Sequence, residues 1–342
     1  MKHLLNVLYV ITEDSYISKQ GETICVHVGG EEKVRVPAHT VESIVCFGHT
    51  TVSTPLLGFL GERGIGLSFL SESGRFYSRM EGPVRGNVLL RKAQYAAASD
   101  PAKASQLAYW FVVCKIANSR NVLLRATREH TDPSAAVVLK KAAESMAAIV
   151  ADLRPDAGLD TLRGLEGSAA YIYFGVFDGM IRANRDDFFF RGRSRRPPLD
   201  NMNAIMSFLY ALLANDVRSA LEAVGLDPAM GFLHALRPGR PSLALDLMEE
   251  LRAWLCDRLA LSLVNLRQLQ GKDFETTPTS VRLADKARRE LITAWQKRKR
   301  EELEHPFLEE SVPIGLIPFV QAQLLARHLR GDLDSYPPFH WK

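Results

Sequence analysis

The chain is predicted to be α+β, with a β-rich N-terminal domain followed by a larger all-α domain. Three observations carry this expectation. Up to about residue 85, β-forming apolar residues come in short runs: NVLYVIT, TICVHV, KVRVP, SIVCF, IGLSFL and RFYSRM. Gly-Gly, Lys-Gln-Gly and Ser-Gly steps separate them, the rhythm of strands and turns. From about Val88 the segments lengthen and become rich in Ala, Leu, Arg and Glu, with breaks at Pro-containing steps.

Taken in order, residues 1–85 form the β-rich domain, with one short helix around STPLLGFLGERG, and residues 86–342 form the helical one. Helices are expected at about 89–116, 119–130, 134–153, 159–181, 201–223, 242–270, 279–303 and 314–330. The breaks fall at DP (100–101), DP (132–133), RPD (154–156), RPP (196–198), DP (227–228) and RPGRP (237–241). EGPVRGN (81–87) is the best candidate hinge. There is no internal repeat and no low-complexity tract. The tail HLRGDLDSYPPFHWK reads as a strap over the helical domain rather than a helix.

With 342 residues and 46% apolar residues, the chain can bury a sizeable core. A formal charge of +4 permits an acidic partner such as nucleic acid without demanding one. Cys25, Cys46, Cys114 and Cys256 are far apart and form no CxxC pair, which argues against a zinc cluster or disulfide framework. The N-terminal apolar run is short and followed by acids, so no signal peptide is expected. No stretch reaches the length of a membrane span. A soluble, cytoplasmic protein is the expectation.

One stretch invites chemistry: GFLHALRPGRPSLALDLMEELR, residues 231–252. Pro241 precedes Ser242, a plausible N-cap for the helix that follows. Leu243, Leu247, Leu251 and Trp254 share one helical stripe toward the core. Asp246 and Glu249 are neighbours on a face, and Glu250 lies one turn on from Asp246. The RPGRP turn folds His234 back toward the helix start. The plainer account is that these acids complement the helix dipole and the histidine is a satisfied partner. That account is weakened because the acids lie past the first turn.

A second stretch, LRGLEGSAAYIYFGVF (162–177), is a small-residue helix in which Glu166 is the only acid. A carboxylate there must be paired, protonated or bound to a metal. An ion pair with Arg163 or Arg182 is the alternative to a metal. One Glu, one His and one or two further acids make a mixed O/N ligand set, suited to Mg²⁺ or Mn²⁺ rather than structural zinc. Such sites serve phosphoryl transfer. FFFRGRSRRPP (188–198) clusters Arg191, Arg193, Arg195 and Arg196 in a loop, and Arg237 and Arg240 flank the turn beside His234. Arginines so placed suit a phosphodiester backbone. KARRELITAWQKRKR (286–300) is either a solvated helix face or a further contact for nucleic acid.

LEGSAAYIYF, RRPPLDNMNAIMSFLYALL and GLDPAMGFLHALRPGRPSLALDLMEELR, taken in series, resemble the CRISPR-associated integrase of spacer acquisition, the first-numbered Cas protein. STPLLGFLGERGIGLSFLSESGRF resembles that family's β-domain, so the resemblance covers nearly the whole chain. Its character is closest to the branch found with type I-C systems. The resemblance implies a β-sandwich-like N-terminal dimerisation domain and an α-helical catalytic domain. It implies a metal-dependent DNA endonuclease and integrase that inserts captured DNA into a CRISPR array. The partners implied are double-stranded DNA, a second copy of the chain, and the small second-numbered Cas protein in a heterohexamer. By the family's motifs the metal ligands fall on Glu166, His234 and Glu249, with Asp246 as a further candidate. Many members carry Asp where this chain has Glu249. Asn203 and Tyr210 lie in the family's NAxxSxxY segment, near DNA and metal. His234 acting as a general base is a second possible role. A stand-alone nuclease on branched DNA and a non-catalytic DNA-binding subunit are the competing functions.

Overall fold

The computed structural model describes residues 7–72, 76–80, 82 and 88–341. The expected hinge at 81–87 and the Ser-Gly step at 73–74 lie outside them, apart from Gly82. The chain forms two compact units. The first contains Met1–Arg85 together with Gln296–Glu301 and Ile314–Leu316, two short segments expected from sequence in the helical domain.

In the first unit the strands are β1 (Val7–Val10), β2 (Ser15–Gln20), β3 (Thr23–Val28), β4 (Glu31–Pro37), β5 (Ser43–Phe47), β6 (Thr50–Val52), β7 (Gly66–Leu70) and β8 (Phe76–Met80). They make two four-stranded sheets, ordered β1-β5-β7-β8 and β4-β3-β2-β6. One core serves both: Ile17, Ile24 and Val26 from one sheet meet Val10, Ile44, Cys46 and Leu67 from the other. Helix α1 (Thr54–Arg63) adds Leu56, Phe59 and Leu60 to that core. Ser53 caps it by accepting from Leu56 N–H, and Gly64 ends it at φ 69°, a left-handed position that favours glycine.

The second unit is built on α2 (Val88–Ser99), α3 (Pro101–Glu129), α4 (Pro133–Asp152), α5 (Leu159–Gly175), α6 (Asn201–Val224), α7 (Ser242–Met248), α8 (Arg258–Asn265), the part of α9 (Asp285–Arg300) up to Trp295, and α10 (Ile317–Arg330). Its core helix α3 packs against α4 and α5, and α6 packs against α7 and α10. Sequence placed a break near 116–119, but α3 runs through it. The break expected at DP (100–101) is the real one: the Asp100 carboxylate accepts from Ala102 and Lys103 N–H and starts α3 with Pro101 in the first turn.

The helix expected over 242–270 is three pieces: α7, a π-helical turn at Arg252–Asp257, and α8. Pro241, not Ser242, is the capping residue, and Ser242 donates its hydroxyl to Ala235 O. Two hairpins also break the all-α expectation, β9–β10 (Phe274–Thr277 with Ser280–Leu283) and β11–β12 (Glu302–Glu304 with Ser311–Pro313). The described residues after α10, 331–341, are non-helical, as the Pro-Pro and aromatic residues suggest. All four cysteines are buried and free. Among the described residues no helix is long and apolar enough to cross a membrane.

Candidate active site

Leu243, Leu247, Leu251 and Trp254 are all fully buried, so the expected apolar stripe does anchor this segment. The surprise is on the other side. Asp246, Glu249 and Glu250 are buried as well, at 0%, 4% and 0% exposure. Three buried acids need three sets of partners, and each has a different one.

Asp246 is consumed by the GFLH segment. Its Oδ2 accepts from Phe232 N–H (2.6 Å) and Leu233 N–H (3.0 Å). Its Oδ1 accepts from His234 N–H (2.9 Å) and meets His234 Nδ1 at 2.6 Å. With both oxygens doubly engaged, the carboxylate's acceptor directions are exhausted, so Asp246 is not placed to bind a metal. Its role is to orient the imidazole, leaving Nε2 as the ring nitrogen for a ligand. Arg163 ties the same segment to α5 by donating to Leu233 O at 2.8 Å.

Glu249 sits between two cations. Arg252 Nη1 donates to Oε1 at 2.6 Å, and Lys115 Nζ lies 2.8 Å from Oε2. The second approach is an ion pair without hydrogen-bond geometry, since Oε2 receives no well-directed donor. Burial alone would raise this carboxyl, but Arg252, then Lys115, outweigh it and hold it down at about 2. His234 is near enough to add to that pull. The same Lys115 Nζ hydrogen-bonds Glu166 Oε1 from α5. Glu166 is therefore paired with lysine and not with Arg163 or Arg182, whose acidic partners are Asp160 and Glu129.

Beneath this pair lies a network that sequence did not reveal. Arg252 stacks on the Tyr210 ring at 4.3 Å, and Arg193 lies over the same ring at 5.0 Å. Tyr210 donates to Asp257 Oδ1 at 2.5 Å and Tyr173 to Oδ2 at 3.0 Å. Burial pushes Asp257 up to about 6, less the effect of the Tyr210 bond. A cleft lined by Lys115, Ala169, Ala170, Phe174, Tyr210, Glu249 and Arg252 opens beside the pair. A signal for Lys115 was present: it is the only charged residue between Lys103 and Arg120, on a helix face that packs inward.

Glu250 is held by α10 and the C-terminal strap. Gln321 Nε2 (2.9 Å), Tyr336 OH (2.6 Å) and Phe339 N–H (2.8 Å) all donate to it. Burial still raises it to about 7.

The expected DNA-binding residues divide. Arg191, Arg195, Arg196 and Arg237 are exposed, and Arg240 is half-buried in the turn. Arg193 is not presented outward: it donates to Ser194 O, Asn203 Oδ1 and Ser207 Oγ. Asn203 is fully buried, accepts from Arg193 and Ser194 N–H, and donates to Gly192 O and Asp200. Arg193, Asn203 and Tyr210 thus organise the arginine loop and the floor of the cleft. In the run 286–300, Arg288 and Lys299 are buried, so that run is not a uniform solvated face.

Do these residues suit a divalent ion? Among the described residues no three His, Cys, Asp or Glu side chains stand close enough to hold one as they are. The donors nonetheless fit in kind: two carboxylates from different elements converge on a single cation position, and the imidazole beside them is oriented by a buried carboxylate. The position is taken by an ammonium group.

Residues 8–297 match the protein family described as CRISPR associated protein Cas1. The chain is 55% identical to the CRISPR-associated endonuclease Cas1 2 of Rhodospirillum rubrum, with all of both chains covered. It is 49% identical to the CRISPR-associated endonuclease Cas1 1 of Chlorobaculum tepidum, again with full coverage of both. In fold it is similar to the structure of a Cas1 protein from Thermotoga maritima, with a TM-score of 0.82 over 95% of this chain and 97% of that one at 24% identity.

Proposed function

The chain belongs to the CRISPR associated protein Cas1 family, and from that premise we propose that it is a metal-dependent DNA endonuclease and integrase. On this reading it inserts captured DNA into a CRISPR array by 3′-hydroxyl attack on a phosphodiester. The observation that carries the reading is the convergence of Glu166 and Glu249 on one cation position, with His234 held beside them by Asp246. The names of two full-length relatives, both endonucleases, support it.

Glu166, Glu249 and His234 Nε2 are the groups that would hold Mg²⁺ or Mn²⁺. Such an ion, when bound, supplies Lewis acidity to the phosphate and lowers the pKa of the attacking hydroxyl. The chain's own residues do the rest. Asp246 keeps the imidazole in one tautomer and one orientation. Arg252 stays locked to Glu249 and, with Lys115, favours its ionised form. Arg191, Arg195, Arg196, Arg237 and Arg240 would grip the DNA backbone without reading sequence. We assign the protein to the type I-C branch, as a homodimer acting in the cytoplasm with double-stranded DNA and the small second-numbered Cas protein.

The test is strand transfer of a short duplex into a repeat-containing plasmid with Mn²⁺ or Mg²⁺, comparing wild type with Glu166→Ala and His234→Ala. Activity should disappear in both variants while folding and DNA binding persist. Survival of activity in both would remove these residues from the reaction.

A further inference from the structure

The two cations on Glu249 are not equivalent. Arg252 is fixed from several sides: it bonds Glu249 Oε1 and stacks on Tyr210, whose hydroxyl is anchored to Asp257. Lys115 reaches the site on a flexible four-carbon stem from α3. It pairs with both Glu166 and Glu249. Its approach to Glu249 Oε2 lacks hydrogen-bond geometry, whereas that of Arg252 to Oε1 has it. Lysine is also the side chain better able to leave, because its compact ammonium has no preorganised fork to break.

Charge leads to the same residue. Glu166 and Glu249 together carry two negative charges, and Lys115 and Arg252 two positive ones, so this largely enclosed quartet is neutral. A divalent ion added to this quartet would leave an excess of two positive charges in a poorly solvated place. With Lys115 withdrawn the excess is one, which a phosphodiester cancels.

We propose that Lys115 is a displaceable internal cation: it holds Glu166 and Glu249 together in the metal-free protein and must leave when a divalent ion enters. It is a positioning residue whose removal strengthens metal binding and weakens the empty protein. This inference rests on the metal reading of the site given above, and the experiment separates the two.

Mn²⁺ binding is measured by calorimetry on the purified full chain without DNA, for wild type, Lys115→Met, Lys115→Arg and Glu166→Gln. Thermal melting of each metal-free protein is recorded alongside. Lys115→Met should melt lower without metal yet bind Mn²⁺ at least tenfold more tightly, a rise that a merely structural role would not produce. Lys115→Arg should bind Mn²⁺ more weakly than wild type, and it decides the matter alone if Lys115→Met does not fold. Unchanged or weaker binding in Lys115→Met overturns the proposal, as does unchanged or tighter binding in Lys115→Arg. If either happens while Glu166→Gln still abolishes binding, the metal reading stands and only the role of Lys115 falls. If no variant binds Mn²⁺, or Glu166→Gln changes nothing, both readings fall together.

Discussion

A Cβ added at Gly231 would lie 2.6 Å from the Ser242 carbonyl carbon, 2.7 Å from Asp246 Oδ2 and 2.8 Å from Leu243 N. Two of these neighbours are backbone and the third is a carboxylate already fixed through both oxygens, so none can yield cheaply. Gly231→Ala is therefore expected to destabilise the protein by about 1–3 kcal/mol and to pull the GFLH segment off α7. Urea denaturation reads the first effect, and a fall in strand transfer out of proportion to the fall in stability reads the second. At this scale Glu166 stood out in the sequence as the one acid on a small-residue helix, His234 by the tight turn that folds it back, and Glu249 by its pairing with Asp246. Asp246 stayed an open candidate because helical spacing says which residues are neighbours and not which oxygens are already engaged. Lys115 was missed because a lone lysine in a helix usually snorkels to water. Here it reaches inward to two carboxylates on distant elements.

Among the elements, the π-helical turn and the strap do what α7 alone does not. The turn carries Arg252 and Asp257 onto Tyr210, and the strap supplies Tyr336 and Phe339 to Glu250. Glu250 titrates near 7 in the folded protein against an ordinary value of 4.5. Between those values the folded chain keeps a proton that the unfolded chain has released, so stability falls as pH rises through the window. The contribution is complete below pH 4.5 and gone above about 7, and a shift of this size corresponds to about 3 kcal/mol at most. The urea midpoint should accordingly drop between pH 5 and 8, and Glu250→Gln should flatten most of that drop. Asp257, raised in the same direction by burial, adds to the slope left over, and His305, lowered by burial, opposes it. An unchanged slope in Glu250→Gln would mean that Glu250 does not carry the proton. Helix existence and the Pro-containing breaks were readable from sequence. The π turn was not, since its causes are tertiary: Arg252 and Asp257 are drawn to partners on α6. The hairpins were also hidden, being only three or four residues per strand.

For the whole molecule, a formal charge of +4 on 342 residues is too small for a long-range field to gather DNA unaided. Attraction must be local, and the exposed Arg191, Arg195 and Arg196 form the densest local source in the loop before α6. Replacing Arg195 and Arg196 with alanine should reduce the slope of log affinity against log salt by about 0.9 for each phosphate that is no longer neutralised. Both side chains are exposed, so the melting temperature should stay put; an unchanged slope would take this loop off the interface. The broad plan, strands first and helices after, could be read from residue runs because it depends on local periodicity. The long reach between partners along the chain could not. Asn118 on α3 donates to Phe339 O across 221 positions of chain, and Trp341 N–H returns a bond to the same asparagine. This has a bearing on the order of synthesis. A growing chain that has made α3, α5 and the π turn possesses every proposed catalytic side chain but not the segment that backs Glu250, the neighbour of Glu249. On the proposed reading, a half-made protein would carry the tools for cutting DNA without the brace that sets them, so the cutting site would mature only after translation has passed residue 339.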